Sequence, residues 1–319
     1  MKNKIFSTIL FALIINLSYA QDAKTVLSGH SDLICGVSFH PGGKQIATTG
    51  SWDYTTMIWD INTAKNIHTL TGFSDAQISC TYSHDGKLLI TAGSDKKIHV
   101  YQTKNWNEMF SFECPATIWY IDISPDNKTL AAGCWDGNIY LFDMKTKKST
   151  KLSGHKDNVN CVNFSPDGNY LVSASEDNTL MIWDIHKQNV TRTLIAHSKS
   201  VMICKYSPDG KKILSGSDDN QAILWNAKSG NPIHRFDMPD MVRAVAFSPN
   251  GKWLAASGAS KDASIRIFDT NTFAELAILK HHNSFVNSMS FSPDNKSLAS
   301  VSSDKDLVIW NLSKFNISQ

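Results

Sequence analysis

The sequence is short of net charge of either sign. Its 31 Lys and Arg face 29 Asp and Glu. Lys2 and Lys4 fall in a leader expected to be removed, and the remainder then balances at 29 against 29. Nothing electrostatic therefore draws the chain to nucleic acid or to anionic lipid. Also lacking are a Gly-rich phosphate loop, Cys and His at zinc spacing, and a nucleophile elbow, so no catalytic residues, metal or cofactor are expected. No stretch beyond the first 20 residues sustains a helical period, which leaves an all-β chain of short strands.

Long apolar runs are absent but for Ile5 to Leu17. Preceded by Lys2 and Lys4 and followed by Ser18-Tyr19-Ala20, it reads as a secretory signal over residues 1–20, cleaved between Ala20 and Gln21. It is too short for a comfortable membrane span. The expectation is an exported chain, periplasmic or secreted, with no stable membrane insertion after cleavage and a single domain over residues 21–319.

What the chain does have is a repeat. An Asp stands six residues ahead of an aromatic seven times: Asp53 and Trp59, Asp95 and Tyr101, Asp136 and Phe142, Asp177 and Trp183, Asp219 and Trp225, Asp262 and Phe268, Asp304 and Trp310. Successive Asp are 41 to 43 residues apart, the period of an array of small sheets. Nine residues before a second hydrophobic landmark, the first-strand residues Phe39, Tyr82, Ile123, Phe164, Tyr206, Phe247 and Phe291, stand His30, Phe73, Cys114, His155, His197, Met238 and His282. The four repeats with His also carry Trp at the aromatic position. A buried imidazole and a buried indole N–H both need partners, so they come and go together. Four residues before the Asp, the same repeats offer Thr49, Ser173, Ser215 and Ser300. The Asp persists in all seven because its side chain can also close a tight turn onto backbone N–H groups.

On Gly29-His30, Gly154-His155, the Trp-Asp pairs at 59 and 183 and the Trp-Asn pairs at 225 and 310, the repeats resemble the WD repeats of the seven-bladed β-propeller family. The resemblance covers roughly residues 24 to 311. It implies a ring of four-stranded antiparallel blades and a buried tetrad within a blade. The candidate tetrads are His30, Thr49, Asp53 and Trp59; His155, Ser173, Asp177 and Trp183; His197, Ser215, Asp219 and Trp225; and His282, Ser300, Asp304 and Trp310. Repeats 2, 3 and 6 depart from the pattern and are expected to lean on apolar packing. Among the other His residues, the lone His68, His99, His186 and His234 read as ordinary strand or turn residues, and Trp253 as core.

Repeat boundaries fall near 29–70, 71–112, 113–152, 153–194, 195–236, 237–279 and 280–311. The last repeat ends before a fourth strand can finish, whereas residues 24–28 have the right apolar pattern and precede the first repeat. The N-terminal strand is therefore expected to complete the last blade and close the ring. Cys35, Cys80, Cys161 and Cys204 sit at strand positions that suit small buried thiols. Cys114 and Cys134, both in repeat 3, are the one pair worth testing for a disulfide.

In the resembled family the face around the channel commonly binds protein or peptide. Positions six and four residues before the first-strand landmark, with the residue before each Asp, give an uneven face. Phe285, Leu33, Trp52, Ile78, Trp119 and Trp135 make one side, the acids Glu176 and Asp218 and the cations Arg243 and Lys261 the other. Trp and Arg dominate interface hot spots. The leading expectation is a non-catalytic scaffold binding a protein or peptide there. A glycan-binding propeller is the alternative, since flat aromatic faces stack on sugars, and a propeller hydrolase or lactonase a more distant one, given the scarcity of acids.

Overall fold

The computed structural model describes residues 24–259 and 261–315. The expected signal and its cleavage site lie outside the described residues. The described residues form seven four-stranded antiparallel sheets. Blade 4 has its inner strand at Val159–Phe164, then Tyr170–Ser175, Leu180–Asp184 and the outer strand Asn189–Leu194. The tight turn after each inner strand has Gly43, Gly86, Asn127, Gly168, Gly210, Gly251 or Asn295 at φ between 60° and 73°, a conformation that Gly and Asn tolerate best. Apolar side chains pack between blades: Leu180, Ile182 and Leu194 of blade 4 share one buried cluster with Val201, Ile213 and Leu224 of blade 5.

The ring closes as expected. Lys24–Ser28 pairs antiparallel with Asp306–Asn311, in register from Lys24 opposite Trp310 to Ser28 opposite Asp306. Blade 7 thus consists of Val286–Phe291, Ser297–Ser302, Asp306–Asn311 and the N-terminal strand. Asn287 adds a second tie across this seam, donating from Nδ2 to the Ile34 carbonyl of blade 1 at 2.8 Å.

In every blade the landmark Asp accepts at Oδ1 the N–H of the residue two further on, at 3.0 to 3.1 Å. The other oxygen is used in two ways. In blades 1, 4, 5 and 7 the loop His donates to it from Nδ1 over 2.7 to 3.0 Å. Its Nε2 accepts from a hydroxyl, which itself accepts the indole N–H of the third-strand Trp at 2.8 to 2.9 Å. Three of these hydroxyls are Ser173, Ser215 and Ser300. Burial works against the Asp304 carboxylate, but the hydrogen bond and charge of His282 together with the N–H groups of Asn283 and Asp306 outweigh it and hold the group at about 2.

The first tetrad corrects the sequence reading: its hydroxyl is Thr48, not Thr49. Thr48 meets His30 Nε2 and Trp59 Nε1, both at 2.8 Å. Blade 1 carries one extra residue in the turn after its second strand, so counting back four from Asp53 lands one place late. Thr49 faces the other side of the sheet, where its Oγ1 is buried without a hydrogen-bond partner among the described residues.

Blades 2, 3 and 6 also differ from expectation, because they do not abandon the polar contact. The residue four after the Asp, on the third strand, supplies it. His99 Nε2 meets Asp95 Oδ2 at 3.0 Å, Tyr140 donates its hydroxyl to Asp136 Oδ2 at 2.8 Å, and Arg266 pairs with Asp262 Oδ2 at 3.6 Å. Burial opposes the charged form of His99, yet Asp95 and Glu108 on either side outweigh it and raise its pKa. The same position in the tetrad blades holds Met57, Met181, Ile223 and Val308.

Thr48→Val strands two buried groups and should destabilise the fold by about 2 to 4 kcal/mol. Thr49→Val should change stability by less than about 1 kcal/mol. Denaturant melts of both variants compare them directly, and equal losses would contradict the reassignment. Deleting residues 21–28 exposes the whole edge of blade 7 and should lower Tm sharply; an unchanged melt would refute the clasp.

Candidate functional site

The geometry of the channel mouth comes from a repeated irregularity. In six blades the inner strand slips register against the second strand, between Ile34 and Gly36, Gln77 and Ser79, Ile118 and Tyr120, Val159 and Cys161, Val201 and Ile203, and Val286 and Ser288. The bulged residues are Cys35, Ile78, Trp119, Asn160, Met202 and Asn287. A bulge re-aims a side chain, and these six, with Arg243 just before the inner strand of blade 6, line a single cavity of about 80 Å³. They are the positions four residues before the first-strand landmark.

Around this ring the loops are tied in pairs. The N–H of the residue before the landmark Asp donates to the carbonyl six before the inner-strand landmark: Trp135 to Thr117, Glu176 to Asn158, Asp218 to Ser200 and Ser303 to Phe285, at 2.9 to 3.1 Å. This contact brings the two Trp of blade 3 together. Their rings stack at 5.1 Å with planes 21° apart. Trp119 is half-buried and Trp135 is 48% exposed.

The other selected residues are less united. In blade 1 the N–H that bonds the Leu33 carbonyl belongs to Ser51, so Trp52 is the inserted residue at the loop tip, 63% exposed. It shares no ring contact with the blade 3 pair among the described residues. Leu33 on blade 1 and Ile78 on blade 2 are half-buried. Across the mouth, the Arg243 guanidinium lies 4.9 Å from the Phe285 ring centroid, with its Nε 3.9 Å from Asp218. Burial raises the Asp218 pKa against the pull of Arg243 and Lys199. Glu176 accepts from Asn158 Nδ2 at 3.1 Å, and Lys261 is exposed. Trp253, as expected, is core at 2% exposure.

The sequence reading missed the polar lining of the channel beyond the mouth. One residue before the inner-strand landmark stand Ser38, Asp122, Asn163 and Lys205, around a cavity of about 360 Å³. Ser38 accepts the Tyr82 N–H, Asp122 the Phe164 N–H and Asn163 the Tyr206 N–H, each on the next blade. Lys205 has no acceptor to offer; it donates to the Tyr120 hydroxyl at 2.7 Å and sits 4.5 Å from that ring centroid. Burial pushes the Asp122 pKa up, with Lys205 opposing. These groups act as clips between blades. Among the described residues, no three His, Cys, Asp or Glu converge so as to hold a metal ion, and no helix is long and apolar enough to cross a membrane.

Comparison with known proteins agrees with this architecture. The family described as WD domain, G-beta repeat matches residues 21–60, 64–102, 106–143, 146–184, 188–226, 230–269 and 273–311. Each matched segment spans an outer strand and the first three strands of the following blade, so the first begins at the strand that completes blade 7. A serine-threonine kinase receptor-associated protein from Gallus gallus is 33% identical over 172 residues, 53% of this chain and 48% of the relative. A WD repeat-containing protein 26 homolog from Arabidopsis thaliana is 27% identical over 305 residues, 91% of this chain and 50% of the relative. A nuclear distribution protein PAC1 from Arthroderma otae is 28% identical over 305 residues, 92% of this chain and 61% of the relative. The matches thus span about half to three fifths of these relatives' lengths.

Proposed function

The chain belongs to the WD domain, G-beta repeat family, and on that premise we propose that it is an exported, non-catalytic scaffold holding a protein or peptide partner on the channel-mouth face. The observation that carries this reading is the stacked Trp119–Trp135 pair, half exposed beside the ring of bulged residues. Aromatic side chains at a partly dry surface supply large contact area at small entropic cost. The pair would anchor the partner. Ile78, Leu33 and the inserted Trp52 extend the apolar side, and Arg243, held by Phe285 and Asp218, offers an oriented cation on the opposite rim. The name of the Gallus gallus relative describes association with a receptor, in keeping with a docking role. Export rests on the segment 1–20 alone.

The test is affinity capture from the native host with the wild-type chain and with Trp52→Ala, Trp119→Ala and Trp135→Ala. One protein retained by the wild type and lost from the Trp119 and Trp135 variants is expected, on a chain whose measured mass begins at Gln21. Retention by all three variants would contradict the face assignment. Glycan binding that depends on the same two Trp, with no protein captured, would replace the partner class.

A further inference from the structure

Blade 3 has filled two touching positions with thiols. The first is the loop position that carries His in four blades; the second closes the second strand, opposite the first residue of the inner strand. The pairing of Ile118 with Cys134 in blade 3 matches that of Ile34 with Gly50 in blade 1. A Cβ built on Gly50 would press on His30 and Asp53, so the strand end and the loop meet there too. In blade 4 the pair is His155 and Ser175, and the Ser175 hydroxyl is committed to the Asp157 carbonyl and the Asp177 N–H. In blade 3 it is Cys114 and Cys134, with Sγ atoms 3.4 Å apart and both residues buried.

We propose that Cys114 and Cys134 are a disulfide-forming pair, and that their oxidation by a low-molecular-weight disulfide covalently locks the loop leading into the Trp119 strand to the turn that carries Trp135. Sulfur atoms in contact need only a small rotation to reach bonding distance. The other close thiols are placed differently. Cys161 and Cys204, on neighbouring inner strands, each turn toward the other's backbone carbonyl, at 3.4 and 4.0 Å.

Cys114 is the attacking group. The hydrogen bond from the Cys134 thiol lowers its pKa, burial works against this, and the Ala116 N–H helps. Its thiolate attacks one sulfur of the small disulfide, expelling one thiolate and leaving a mixed disulfide. The Cys134 thiolate then attacks Sγ of Cys114, forming the internal bond and expelling the second thiolate. The protons given up by the two cysteines end on the two released thiols. The protein is oxidised by two electrons, and the small disulfide is reduced by the same two. The bridge closes the segment between residues 114 and 134. It adds to a tie already present, the Trp135 N–H to the Thr117 carbonyl at 3.1 Å.

The experiment treats the full folded chain with oxidised glutathione, alkylates free thiols after denaturation, and maps the peptides by mass. The expected result is one linkage, Cys114 to Cys134, with Cys35, Cys80, Cys161 and Cys204 alkylated. It should come with a dithiothreitol-reversible rise in Tm of about 5 °C. Cys114→Ser should abolish linkage and rise together. Six alkylated cysteines, or a linkage between other positions, would overturn the proposal, and the wild-type map decides it even if the variant does not fold.

Discussion

Every blade turns on one carboxylate that has to be held from both sides. The landmark Asp fastens the turn between second and third strands with one oxygen, and its other oxygen, nearly dry in blades 1, 2, 4, 5 and 7 and more open to water in blades 3 and 6, meets a side-chain donor in each. Two solutions appear. Where the preceding loop brings a His, a relay runs from indole N–H through hydroxyl and imidazole to the carboxylate, linking third strand, second strand, loop and turn. Where it does not, a polar residue four places after the Asp, on the third strand, takes the place of the His. The consequence reaches past stability, since the same turns and loops form the channel mouth.

This constraint explains which parts of the fold are legible in the sequence. A period kept within one residue over seven units marks positions, and positions relative to a fixed landmark read correctly. The positions that line the mouth were reached that way, although nothing in their identities, from Cys35 to Trp119, marks them as kin, and the bulge that re-aims them was not legible. Errors came where counting crossed an insertion. Trp52 looked equivalent to Trp135, and Thr49 to Ser173, because one added residue in the blade 1 turn shifts everything counted back from Asp53. The rescue of blades 2, 3 and 6 was present in the sequence as an alternation of His99, Tyr140 and Arg266 against Met57, Met181, Ile223 and Val308. Reading it needed the question of what a carboxylate does when its His is gone.

The channel lining was hidden for a different reason. Ser38, Asp122 and Asn163 act on the backbone of the neighbouring blade, and a contact between units leaves no trace in the pattern within a unit. Only blades 1, 3 and 4 make this contact among the described residues; at the same position in blade 5 the ammonium of Lys205 cannot accept an N–H and reaches back to Tyr120 instead. The ring is therefore uneven in chemistry though regular in backbone, and so is its mouth. Trp119 and Trp135 gather on blade 3, and Asp218, Arg243 and Phe285 form a charged and aromatic chain over blades 5 to 7. A partner that fits such a rim would be held in one rotational setting.

The relay from indole to carboxylate is tested most directly by hydrogen exchange at the indole N–H groups, followed by NMR. The account predicts slow exchange at the indoles of Trp59, Trp183, Trp225 and Trp310, each donating to a buried hydroxyl, and rapid exchange at the exposed Trp52 and Trp135. Exchange of the four at the rate of Trp52 and Trp135 would contradict it.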